Sequence, residues 1–161
     1  MAGDADDDMR LVASQLGRRP LPFRRVVARC PGGAPLAVEQ PATTPTGAPF
    51  PTTFWLTCPA LVRAVAALES AGGVALLERR LGEEPELAAT FDEGRARQID
   101  LRPGREPLGI GGTSAPRAVK CLHAHAAFAL GAPPYALGAE ILLAAGGPPL
   151  RCCTADLPAH P

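Results

Sequence analysis

Lysine is almost missing from this chain. Of its sixteen basic side chains fifteen are arginine, which leaves Lys120 as the single ammonium group. Net charge is missing too: sixteen acidic residues balance the sixteen basic ones, so no global field is available to hold a polyanion. Nucleic acid is not expected as a partner. No window approaches the roughly 18 consecutive apolar residues of a membrane span, and the N-terminus opens on Asp4 and Asp6 to Asp8. A soluble, cytoplasmic protein without a membrane span is the expectation. There is no CxxC pair, the signature of a zinc ribbon or a thioredoxin-like site. The five cysteines are an odd number, which argues against an extracellular disulfide framework and for reduced thiols. Aromatic residues make up only 4%, against abundant alanine, glycine and proline, a composition that reads as a small α+β domain.

What is present is organised around proline and glycine punctuation. At 161 residues the chain is long enough to bury roughly 68–70% of its unfolded surface in one core. Residues 1–21 read as a flexible acidic segment running into a basic one, 22–145 as a single α+β domain, and 146–161 as a proline-rich tail. Phe23 to Cys30 and Pro35 to Glu39 read as two strands joined by a Cys30-Pro31-Gly32-Gly33 turn. Residues 40–51 carry four prolines and read as loop; Thr52 to Thr57 reads as a third strand. Cys58-Pro59 then opens a helix that Gly72-Gly73 closes, because proline loses nothing where the first-turn amides are unpaired anyway. Val74 to Leu81, Pro85 to about Asp100, Ser114 to Leu130 and Tyr135 to Ala145 are further helical candidates. The architecture expected is a small antiparallel sheet from the N-terminal third, packed against several helices.

The chemistry concentrates between Gly109 and His125, which holds two of the three histidines and the only lysine. On a helix running from Ser114, Cys121 and His125 lie about 40° apart on one face, with His123 on roughly the opposite side. His123 then reads as a hydrogen-bonded core histidine. Which histidine faces the thiols depends on where that helix starts. Cys30 at a hairpin tip, Cys58 at a strand-to-helix junction and Cys121 near a helix start sit at element ends, where a small domain could gather them. With His125 they supply the four N and S ligands of a closed structural zinc site. The loop Gly111-Gly112, followed by Arg117 and Lys120, could instead seat a phosphate or carboxylate on free amides. It matches neither GxGxxG nor a P-loop. Cys152-Cys153 receives no role, since neighbouring cysteines rarely bridge each other.

Pro51-Thr52-Thr53-Phe54-Trp55-Leu56-Thr57-Cys58-Pro59, Val119-Lys120-Cys121-Leu122-His123 and Arg29-Cys30-Pro31 together resemble an actinobacterial family catalogued as a domain of unknown function, number five hundred and one. The resemblance runs from about Val12 to Leu143. It implies no reaction, substrate or cofactor; its members are commonly encoded near a divisome coiled-coil protein, an enolase and an exopolyphosphatase-like enzyme. The chain departs from the pattern at Phe54, where tyrosine is more usual.

Three functions fit these residues. The first is a domain whose Cys30, Cys58, Cys121 and His125 converge on a structural zinc ion. The second is a non-enzymatic interaction module, with buried cysteines and a partner protein docked on the arginine-rich segment and the alanine-rich helices. The third is a small cysteine-dependent enzyme, in which Arg117 and Lys120 hold an anionic, phosphate-bearing substrate for attack by Cys58 or Cys121.

Overall fold

Among the described residues the sheet is built from the N-terminal half, between residues 25 and 56. In the computed structural model, residues 2–102 and 108–150 are described, with side chains from residue 5 onward. Arg25–Arg29 (β1) and Pro35–Glu39 (β2) form the expected hairpin. Its turn needs glycine at Gly33, where φ is 86°; Cys30 donates its N–H to Ala34 O at 2.9 Å and accepts from Gly33 N–H at 2.8 Å. Phe54–Leu56 (β3) pairs antiparallel with the other side of β2, giving the order β1-β2-β3 with β2 in the centre.

Helices cover this sheet. α2 (Pro59–Ser70) and α4 (Pro85–Asp100) each begin on a proline, and α3 (Gly73–Glu83) starts directly behind the left-handed Gly72. α5 (Leu122–Gly131) and α6 (Ala136–Ala144) follow. The core joins Ala37, Phe54 and Leu56 of the sheet to Leu61 and Val65 of α2, Phe91 of α4 and Ala124, Ala127 and Phe128 of α5. The fold is α+β, as the residue pattern implied.

Two expectations about element limits need correction. Residues 2–16, expected to belong to a flexible segment, form helix α1 (Ala2–Leu16). Its acidic start suits the positive end of the helix dipole. The helix is docked: Val12 is fully buried, Gln15 Nε2–H donates to Pro35 O at 2.7 Å, and Asp8 accepts from Arg29 Nη2 at 2.7 Å. The second correction concerns α5, which begins at Leu122 and not near Ser114. Ahead of it Arg117 and Lys120 take φ of 56° and 60°, backbone that side-chain-bearing residues rarely adopt. Tertiary acceptors replace the helical ones there. Glu78 Oε1 takes the Val119 N–H at 3.2 Å and Glu69 Oε1 takes the Leu122 N–H at 2.6 Å, while the Cys121 N–H closes a local turn on Val119 O at 2.7 Å.

The predicted tail beyond residue 150, with Cys152-Cys153, and the part of the predicted linker at 103–107 lie outside the described residues. Among the described residues no single helix is long and apolar enough to cross a membrane.

Candidate functional site

A cleft of about 210 Å³ opens beside β3, lined by Phe50, Pro51 and Thr52 ahead of the strand, by Phe54, Trp55 and Leu56 in it, and by Cys121, His123 and Ala124 at the start of α5. Successive strand residues point to opposite faces of a sheet. A cavity that touches three in a row therefore runs along the strand's backbone edge. Arg102, just past α4, holds the segment ahead of the strand by donating to the carbonyls of Phe50 and Thr52. Gly112 packs against the Pro51 backbone so closely that a Cβ there would sit 2.8 Å from Pro51 O. Arg18 lies over the Trp55 ring, 5.8 Å from its centroid.

The polar groups of the cleft are held from α2. Cys121 is the N-cap residue of α5, with extended backbone. Burial pushes its thiol above the ordinary value; the Ala124 amide pulls it down, Glu69 adds to the rise, and Lys120 and the His123 amide subtract from it. The net direction is upward, so the resting sulfur is a thiol. The ring of His123 is engaged on both nitrogens: Nε2–H donates to Val62 O at 3.1 Å and Nδ1 stands 3.1 Å from Glu69 Oε1. Among the described residues no hydrogen bond joins the His123 ring to the Cys121 thiol; of His123 only the backbone amide reaches it. A thiol is activated by an adjacent base or by a lowered pKa; here the His123 ring is bonded to Val62 and Glu69, and the shift of the thiol is upward. Mild alkylation at pH 7 is expected to label Cys121 no faster than a free thiol. A reaction several-fold faster, mapped to Cys121 by mass spectrometry, would overturn that assignment.

The two histidines exchange the roles that the sequence implied. His125 is fully buried, with Nε2–H toward Val119 O at 3.3 Å and Nδ1 accepting from Tyr135 Oη at 2.8 Å. A carbonyl can only accept, so its bond fixes the tautomer. Burial lowers the His125 pKa to about 4, and the Val119 bond offsets only part of that. His123 instead lines the cleft. The shift of the helix start to Leu122 is the cause: it takes Cys121 out of the helical periodicity that would have put it on the His125 face.

The proposed ligand set is therefore not assembled. Among the described residues no group of three or more His, Cys, Asp or Glu stands where it could hold a metal ion. Cys30 and Cys58 are buried in the apolar core, Cys121 is half-buried at the cleft, and all three are free thiols. Both nitrogens of His125 are already bonded. Of the anion set, Gly111 and Gly112 have φ of 83° and 73°, and a Cβ on Gly111 would lie 3.7 Å from the Lys120 Cβ. Arg117 has turned away, pairing with Asp92 at 2.7 Å and holding that carboxyl below its usual range. The arginines of the N-terminal segment are also divided: Arg24 and Arg25 bind Glu39 at 3.5 and 2.7 Å. Sequence reasoning missed Glu69, Arg102 and Tyr135. Only Tyr135 carried a signal, being the single tyrosine of an aromatic-poor chain; the other two act over more than 50 residues of separation.

An α+β domain with an apolar cleft at a sheet edge is the class these observations define. More particularly, the chain belongs to the family described as Protein of unknown function (DUF501), whose model matches residues 26–105. That span runs from β1 through α4 and leaves Cys121 and His123 beyond it. No curated protein and no solved structure matches the chain.

Proposed function

We propose that this domain is a non-catalytic protein-interaction module, and that the cleft beside β3 is its recognition element and accepts one apolar side chain. The observation that carries this reading is the lining of the cleft. Phe50, Phe54, Trp55, Leu56 and Ala124 make an apolar wall, and its few polar groups include a protonated thiol and an imidazole tied to α2. Size points the same way. Pockets for whole cofactors and drug-sized ligands run from about 300 to 1,000 Å³, whereas about 210 Å³ suits a single leucine- or phenylalanine-sized group.

Trp55 is the only tryptophan and lies in the cleft wall, so its fluorescence reports occupancy. Titration with N-acetyl-leucinamide is expected to change the Trp55 emission with a Kd of roughly 1 mM, the range a dozen heavy atoms reach at modest efficiency. Ala124→Leu, which extends a side chain into the cleft, should abolish the change while circular dichroism shows the domain still folded. An unaltered titration in folded Ala124→Leu would overturn the reading.

A further inference from the structure

The antiparallel register decides which backbone groups of β3 are used. Gln40 N–H donates to Thr53 O at 2.7 Å and Thr57 N–H to Leu36 O at 3.0 Å, with the pair Val38–Trp55 midway between them. Thr53, Trp55 and Thr57 therefore turn their N–H and C=O groups toward β2. Phe54 and Leu56 turn theirs to the opposite edge, along which the cleft runs. Among the described residues nothing pairs with those four groups, yet Phe54 is only 4% and Leu56 1% exposed. Unpaired backbone groups so well screened from bulk water are rare in folded proteins, because each forfeits a hydrogen bond after losing its hydration.

The two edges of the sheet differ in how they are defended. β1 is interrupted by irregular register between Val26 and Arg29 and carries exposed Arg25 and Arg29, both of which discourage strand addition. β3 carries no charge and lies beside an apolar cavity. Strand addition to an edge draws affinity from main-chain hydrogen bonds and specificity from pockets for alternate side chains. β3 has both parts, four unpaired backbone groups and one side-chain-sized pocket.

Charge defines the rest of the partner. Lys120 adjoins Cys121 in the cleft wall and is exposed, and Arg18 lies over Trp55; among the described residues neither has a carboxylate partner. We propose that the β3 edge takes an extended segment of a partner protein as a fourth strand, its backbone pairing with Phe54 and Leu56, one apolar side chain filling the cleft and acidic residues flanking that anchor. This rests on the reading of the cleft as a side-chain pocket.

The test uses the full chain, labelled with ¹⁵N, and acetyl- and amide-blocked hexapeptides that alternate glutamate with β-branched residues around a central Leu, Ile, Met or Phe. Each is paired with two backbone-methylated forms, one N-methylated at odd and one at even residues. One methylation pattern should weaken binding about tenfold or more, since it removes the amides that would face β3, and the other should be tolerated. The unmethylated peptide should slow hydrogen exchange at the Phe54 and Leu56 amides. Lys120→Asn, which keeps a residue tolerant of positive φ, should weaken binding several-fold at low salt. Equal binding of both methylated forms would overturn strand addition and leave the pocket reading intact. So would failure of every hexapeptide while N-acetyl-leucinamide still binds. If neither hexapeptides nor N-acetyl-leucinamide bind, both readings fall.

Discussion

Acidification should remove about 3 kcal/mol of stability between pH 6.5 and pH 4, and His125 is the expected source. Its folded pKa is about 4, against an ordinary value of 6.5, because the imidazole is buried between Val119 O and Tyr135 Oη. The unfolded chain thus takes up the proton first. Above pH 6.5 the ring is neutral in both states and the folded protein keeps its full stability. As pH falls from 6.5 toward 4 the unfolded chain binds a proton that the folded protein refuses, and stability declines; below about pH 4 this group contributes no further slope. A shift of about 2.5 units at ~1.4 kcal/mol per unit sets the scale. Urea unfolding at pH 7, 6, 5 and 4 measures the slope directly. In His125→Asn the slope over this window should flatten, whatever its absolute stability. An unchanged slope would assign the acid sensitivity to another group.

Glu69→Ala should cost about 2 kcal/mol and loosen the cleft. One carboxylate oxygen of Glu69 accepts the Leu122 N–H at 2.6 Å and faces His123 Nδ1 at 3.1 Å, tying α2 to the first turn of α5. Removing it leaves an N-terminal amide of α5 without an acceptor and frees the ring that forms one wall. Hydrogen bonds to an ionised group contribute about 1.5–3 kcal/mol, and the carboxylate here is about three-quarters buried. Glu69→Gln keeps an acceptor oxygen and should lose about half as much. Urea denaturation followed by Trp55 fluorescence, with the Leu122 and His123 amide resonances as local reporters, distinguishes the two variants. Equal stability of Glu69→Ala and wild type would mean that water replaces the carboxylate fully.

Both experiments probe long-range partners that local sequence does not announce. The elements marked by strong punctuation were legible: the Pro31-Gly32-Gly33 turn of the hairpin, Pro59 and Pro85 at helix starts, and Gly72 between α2 and α3. Proline fixes φ and removes an amide, and glycine opens positive φ, wherever they stand, so their effect is local and readable. α1 was not legible, because its contacts are few and distant: Val12, the Gln15 bond to Pro35 O and the Asp8–Arg29 pair. The start of α5 was misjudged for a related reason. Ser114 and Pro116 are valid start signals, but Glu78, Glu69 and His125 compete for the backbone between Val119 and Leu122. Tertiary hydrogen bonds hold Lys120 at a φ of 60° that helical propensity would never select.

By itself the sequence determined the α+β class, the hairpin, four of the helices and the absence of a net field for a polyanion. It also pointed to the Cys121–His125 stretch as the place to look. Only the tertiary structure decided which histidine is buried and which lines a cleft, because that depends on where α5 begins, and its beginning is set by carboxylates on α2 and α3. The dispersal of Cys30, Cys58 and Cys121 into core and cleft was decided there too. So was the placing of one uncharged, unpaired sheet edge beside an apolar pocket: strand order and register are relations between segments, and no single segment carries them.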